Sequence, residues 1–203
     1  MKQSFIGKNA RYYLRYFFAG QIFLGLFAII LISLGDSLSI PVHQKTNFTD
    51  ASIQIGTASL TNTIQAGDLS ITDSNFFQKL LLTQIPYLPF AKDFATALMC
   101  IITGILMLRF TNKISKTSNF GMELSLLMRW MAVTLTTYMM LSLVISYFRW
   151  NLVEKVSGNQ FLPADRLSDP CIRYAWIVAI VLFLFSTMLK QAYQMQKEQD
   201  LTI

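Results

Sequence analysis

Four apolar runs, each close to the length that crosses a lipid bilayer, divide this sequence and limit what it can fold into. They cover about residues 16–34, 90–108, 130–148 and 174–189. A hydrocarbon layer about 30 Å thick takes roughly 20 helical residues at 1.5 Å each, whereas a soluble core spreads its apolar residues along amphipathic faces. The chain is 53% hydrophobic and 14% charged, against about 25% charged in a typical soluble domain, so lipid is needed to cover the excess. The expected architecture is a single membrane α-helical domain over residues 1–203, with four transmembrane helices. A small β-rich extracytoplasmic insert at 36–89 is expected between the first helix and the second.

The first run is preceded by Lys2, Lys8, Arg11 and Arg15. A basic flank also opens secretory signals, but this run exceeds the usual signal core, and Gly35-Asp36-Ser37-Leu38 offers no small-x-small cleavage pattern. An uncleaved signal anchor is expected. Beyond it, Ser52-Ile53-Gln54-Ile55, Ser59 to Ile64, and Leu69-Ser70-Ile71-Thr72 alternate polar with apolar between turn residues, which predicts a β meander. So few short strands bury little by themselves, and the meander is expected to pack against the second polar loop, Arg149 to Arg173, or against the outer helix ends. Phe76 to Leu82 reads as an interfacial helix, separated from the second run by Pro86 and Pro89.

Orientation follows from the basic residues. With the N-terminus inside, Lys2, Lys8, Arg11, Arg15, Arg109, Lys113, Lys116, Arg129, Lys190 and Lys197 fall on the cytoplasmic side, ten against seven outside. Both termini are therefore expected in the cytoplasm. The same placement explains the pI of about 9.4: juxtamembrane cations attract anionic lipid heads, so membrane lipids are the expected partners and direct nucleic-acid binding is not. Tyr12, Tyr13, Trp130 and Tyr193 on the inner side, with Tyr87, Tyr147, Trp150, Tyr174 and Trp176 on the outer, fit aromatic belts.

Motifs that carry catalysis are missing from the sequence. His43 is the only histidine, with no cysteine near it to complete a metal set, and no P-loop, nucleophile elbow, dinucleotide fingerprint or zinc-protease motif occurs. The acids Asp36, Asp50, Asp68, Asp73, Asp165 and Asp169 lack the spacing of a calcium loop. No catalytic residue, cofactor or metal site is predicted, and the chain is expected not to be an enzyme. Cys100 falls near mid-bilayer and Cys171 at an outer helix end, depths roughly 10 Å or more apart, so two free thiols are expected. Asn47-Phe48-Thr49 matches a glycosylation sequon that has meaning only in a eukaryotic secretory pathway.

Polar and small residues inside the runs suggest how the helices meet. Gln21, Gly25 and Ala28 share one face of the first run, and Thr96, Cys100 and Gly104 form a ridge on the second, both suited to close helix approach. In the third run Thr134, Tyr138, Ser142 and Ser146 recur every four residues. That stripe is either the wall of a cavity, as a small transporter or permease-like component would need, or a seam of interhelical hydrogen bonds worth about 0.6 kcal/mol each. No ionisable residue lies deep in a run, which weighs against ion-coupled transport.

The tail Gln196-Lys197-Glu198-Gln199-Asp200-Leu201-Thr202-Ile203 and the four-span layout resemble a bacterial membrane-protein family catalogued as domain of unknown function 2975. The inner segment is similar too: Lys113-Ile114-Ser115-Lys116, then Phe120, then Arg129 at the start of the third run, although Leu124 stands where the family often has asparagine. The resemblance covers most of the chain and implies a protein of the bacterial cytoplasmic membrane. Members are often encoded beside a small helix-turn-helix transcription regulator. It therefore implies a membrane partner or sensor for such a regulator, with Lys113, Lys116, Phe120, Arg129, Glu198, Asp200 and Leu201 as partner contacts. It implies nothing about oligomeric state.

Overall fold

The computed structural model describes residues 8–44, 54–55, 58–61, 66–72, 74–85, 88, 91–114, 120–158, 160–163 and 170–201. The elements in chain order are α1 (Lys8–Leu34), β1 (Leu38–Gln44), β2 (Gln54–Ile55), β3 (Ala58–Thr61), β4 (Ala66–Ile71), α2 (Phe76–Leu82), α3 (Phe94–Ile114), α4 (Phe120–Ser157), β5 (Phe161–Pro163) and α5 (Pro170–Leu201). Four of these helices, α1, α3, α4 and α5, are long and apolar enough to cross a membrane. Most of their large apolar side chains are exposed, among them Phe23, Ile30, Val144, Ile180 and Phe185, as expected where lipid rather than protein is the solvent.

Each apolar run lies within or overlaps one of these helices, but the helices keep their own limits. The second begins at Phe94, because Asp93 caps it: Asp93 Oδ1 accepts from Thr96 N at 3.0 Å, and Asp93 N donates to Thr96 Oγ1 at 3.0 Å. α4 has 38 residues, about 57 Å at 1.5 Å each, so it outruns a hydrocarbon layer about 30 Å thick. Its extra turns take in Phe120 to Arg129 at one end and Arg149 to Ser157 at the other.

The helices pack antiparallel in the order α1–α3–α4–α5. The α1–α3 contact sets Gln21 and Gly25 of the expected α1 face against Ala97, Ile101, Thr103 and Gly104, so Gly104 carries it from the expected α3 ridge while Thr96 caps that helix. Gln21 Nε2 donates to Thr103 Oγ1 at 2.8 Å, Gly25 lies against the carbonyl of Ala97, and Gly104 against Ile22 and the carbonyl of Phe18. A Cβ on Gly25 would stand 2.7 Å from the Ala97 oxygen, and one on Gly104 would stand 2.7 Å from Ile22 Cγ1 and 3.1 Å from the Phe18 oxygen. Glycine is needed there because two backbones approach without room for a side chain. Along the α4–α5 seam, Ser125 Oγ donates to the Ser186 carbonyl at 2.8 Å and Ser186 Oγ to the Ser125 carbonyl at 2.9 Å.

At one end of the helices sits a five-stranded antiparallel sheet of order β2-β3-β4-β1-β5. Leu38, Ile40 and Val42 alternate inward along β1, and Leu38 pairs with Ile71 and Ile40 with Leu69. Those side chains share a core with Leu82 of α2, Ala95 of α3 and Ile145 and Val153 of α4. The strands from the first insert lean on the second connection, as the sequence leads one to expect: β5 pairs with the β1 edge from Val42 to Gln44. Pro41 lies just beyond that pairing and opposite Asp68 of β4. Lys79 Nζ of α2 donates to the carbonyls of Asp36 at 2.9 Å and Gly35 at 3.3 Å, a cation placed at the C-terminal end of α1.

Candidate functional site

Of the residues singled out as partner contacts, Lys113, Phe120, Arg129 and Glu198 lie toward the end of the helices opposite the sheet. There α3 ends at Ile114 and α4 begins at Phe120, and a clasp joins them: Lys113 Nζ lies 2.7 Å from Glu123 Oε1, and the Phe110 and Phe120 rings are 6.3 Å apart. Arg129 is exposed one turn and a half beyond Glu123 on α4. α5 returns to this end through the Ser125–Ser186 bonds, with Tyr193 next to Gly121. It then continues as helix to Leu201; from Lys190 to Gln199 every side chain but that of Tyr193 is exposed, including Glu198. Asp200 and Leu201 belong to the same helix by backbone, and their side chains lie outside the described residues, as does all of Lys116.

Between this clasp and the sheet end, the facing sides of α3 and α4 leave a groove of about 880 Å³. Its walls include Ile102, Ile105, Leu126, Trp130 and Val133, all exposed, so it opens sideways from the helices. The polar stripe divides along it. Thr134 and Tyr138 line the groove, which ends on α4 at Leu141; Ser142 is buried past that limit and Ser146 is half-buried. The threonine hydroxyls on the wall are turned back onto their own helix, Thr134 Oγ1 to the Trp130 carbonyl at 2.8 Å and Thr137 Oγ1 to the Val133 carbonyl at 2.9 Å. Bonded this way the two hydroxyls spend their donor protons on their own helix, and the wall is mostly apolar. Charge occurs only at the clasp, where Arg109, Lys113 and Glu123 form the mouth.

The sheet end holds a pair that the sequence does not announce. Arg149 lies inside α4 and is 2% exposed; its Nη2 is 3.3 Å from Oδ2 of Asp93, which is fully buried, and its Nε donates to the Leu82 carbonyl at 2.8 Å. One guanidinium thus ties α4 to the α3 cap and to the last turn of α2. The two residues are 56 positions apart, and the only sequence signal is that each is a charge at the end of an apolar run, Asp93 with Lys92 beside it.

His43 is in β1, opposite Ala66 and Leu162. Among the described residues no three His, Cys, Asp or Glu side chains come together to hold a metal. Cys100 carries a thiol rather than a disulfide. Asp50, Asp73, Asp165, Asp169 and the sequon at Asn47 lie outside the described residues. Comparison of the chain with models of protein families, with curated proteins and with solved structures found no match.

Proposed function

We propose that this chain is a non-enzymatic protein of the bacterial cytoplasmic membrane, spanning it four times with both termini inside, that acts as a membrane partner or sensor for a small helix-turn-helix regulator. The observation that carries this reading is the convergence of the inner segment and the tail at one end of the helices. α5 runs about 18 Å past Leu189 as an exposed helix, beside the Lys113–Glu123 and Phe110–Phe120 clasp. A rigid, mixed-charge helix next to an aromatic step is a surface that a small helical protein can pack along. The resemblance to the bacterial family supplies the regulator as its occupant.

Two further points support the orientation. The sequence assigns ten of the seventeen basic residues to the inner side, and at the sheet end Arg149 is consumed by the buried pair with Asp93, which deepens the contrast in exposed basic residues. On this reading the sheet faces outward, where its strands and the Arg149 lock are positioned to respond to a ligand or to the state of the membrane.

Chemical crosslinking and capture from native membranes, with the intact chain compared to one truncated after Leu189, tests the proposal. Recovery of a small DNA-binding protein with the intact chain and its loss with the truncated one is the expected result. Equal recovery with both, or recovery with neither, overturns it.

A further inference from the structure

The groove between α3 and α4 has two chemistries along its length, and together they describe a ligand. Its mouth is charged and its walls are hydrocarbon. At the mouth Lys113 is held by Glu123 at 2.7 Å, while Arg109, exposed about one turn earlier on α3, enters no ion pair among the described residues. A guanidinium presents two parallel donors, the geometry that a phosphate diester accepts. Trp130, exposed on the opposite wall, has the amphipathic ring that settles at headgroup level.

Depth and volume agree with that chemistry. From Arg109 to Leu98, both on the wall, α3 rises about 16 Å, close to one leaflet of a hydrocarbon layer about 30 Å thick. The 880 Å³ falls within the roughly 300–1,000 Å³ of ligand sites. The lining is predominantly apolar, and Thr134 and Thr137 spend their donor protons on their own helix, so an acyl chain fits the wall better than a hydrated solute. We propose that this groove binds one anionic phospholipid of the adjoining leaflet, its phosphate on Arg109 and an acyl chain lying along Leu106, Ile102 and Leu98. The site rests on the membrane reading above and needs no regulator.

The test uses the full chain reconstituted in phosphatidylcholine vesicles, with bromine-labelled lipid as contact quencher. The three-tryptophan protein must first be quenched by brominated phosphatidylcholine; if it is not, the chain is not inserted and the membrane reading fails with the site. In a W150F/W176F variant, which keeps only Trp130, brominated phosphatidylglycerol is expected to outcompete brominated phosphatidylcholine by about fivefold in relative binding, the size of one cation's preference for an anionic headgroup. R109Q is expected to abolish the preference and R109K to keep most of it. Equal quenching by the two lipids, or a preference that survives R109Q, overturns the proposal. Loss of all Trp130 quenching in an inserted chain also overturns it, and hands the groove to a second copy or a peptide.

Discussion

Asp93 and Arg149 show how a single pair can fix one end of a set of long apolar helices. Both are buried, and each meets more than the other: Asp93 also holds Thr96 at the start of α3, and Arg149 also holds the Leu82 carbonyl. Removing one member leaves the other charge uncompensated where solvent does not reach it, a loss of about 3–5 kcal/mol, whereas removing both leaves only polar groups to be resatisfied. D93N and R149M are each expected to lower the thermal unfolding midpoint in detergent markedly. The D93N/R149M double variant should recover much of the loss, and a double variant as damaged as the sum of the two singles would show that the pair is not the stabilising unit. R149K keeps the charge but loses the planar fork, so an intermediate midpoint is expected.

At the scale of elements, the long helices were legible because their signal is length and composition, which lipid reads directly. The faces on α1 and α3 were legible for the same kind of reason: Gln21, Gly25 and Gly104 recur at helical spacing, and small residues have few other uses inside a bilayer. Strands were harder. β1 carries a clean alternation from Leu38 to Val42, but Pro41 in its middle reads as a break until β5 is known to end beside it; β5 has three residues, too few for any pattern. Helix ends were also hidden, since α4 continues past Phe148 through Arg149, a charge that reads as a boundary until its partner Asp93 is in view. The α1–α3 contact makes the clearest forecast. G25L must push the Ala97 backbone away and is expected to cost about 1–3 kcal/mol, while G20L, with no atom within 4 Å of its new Cβ, should stay within about 0.5 kcal/mol of the parent. Equal midpoints for G25L and G20L in the same detergent would deny the close approach.

For the whole molecule, the residues proposed as partner contacts were legible only as two separate segments, because sequence gives no distance between residue 113 and residue 198. The reciprocal Ser125–Ser186 bonds and the Gly121–Tyr193 contact bring α5 back to the start of α4, and the groove exists only once α3 and α4 are joined at both ends. Its opposed ends also make the orientation measurable. Lys92 is exposed at the sheet end and Lys197 is exposed on the α5 extension, so the two positions should face opposite compartments if the four helices cross the membrane. With Cys100 and Cys171 replaced by serine, K92C is expected to react with a membrane-impermeant maleimide on intact spheroplasts, and K197C only after permeabilisation. The reverse pattern would put the sheet in the cytoplasm and move the proposed regulator surface outside, where no transcription regulator could reach it; labelling of both in intact cells would mean that α5 does not separate them.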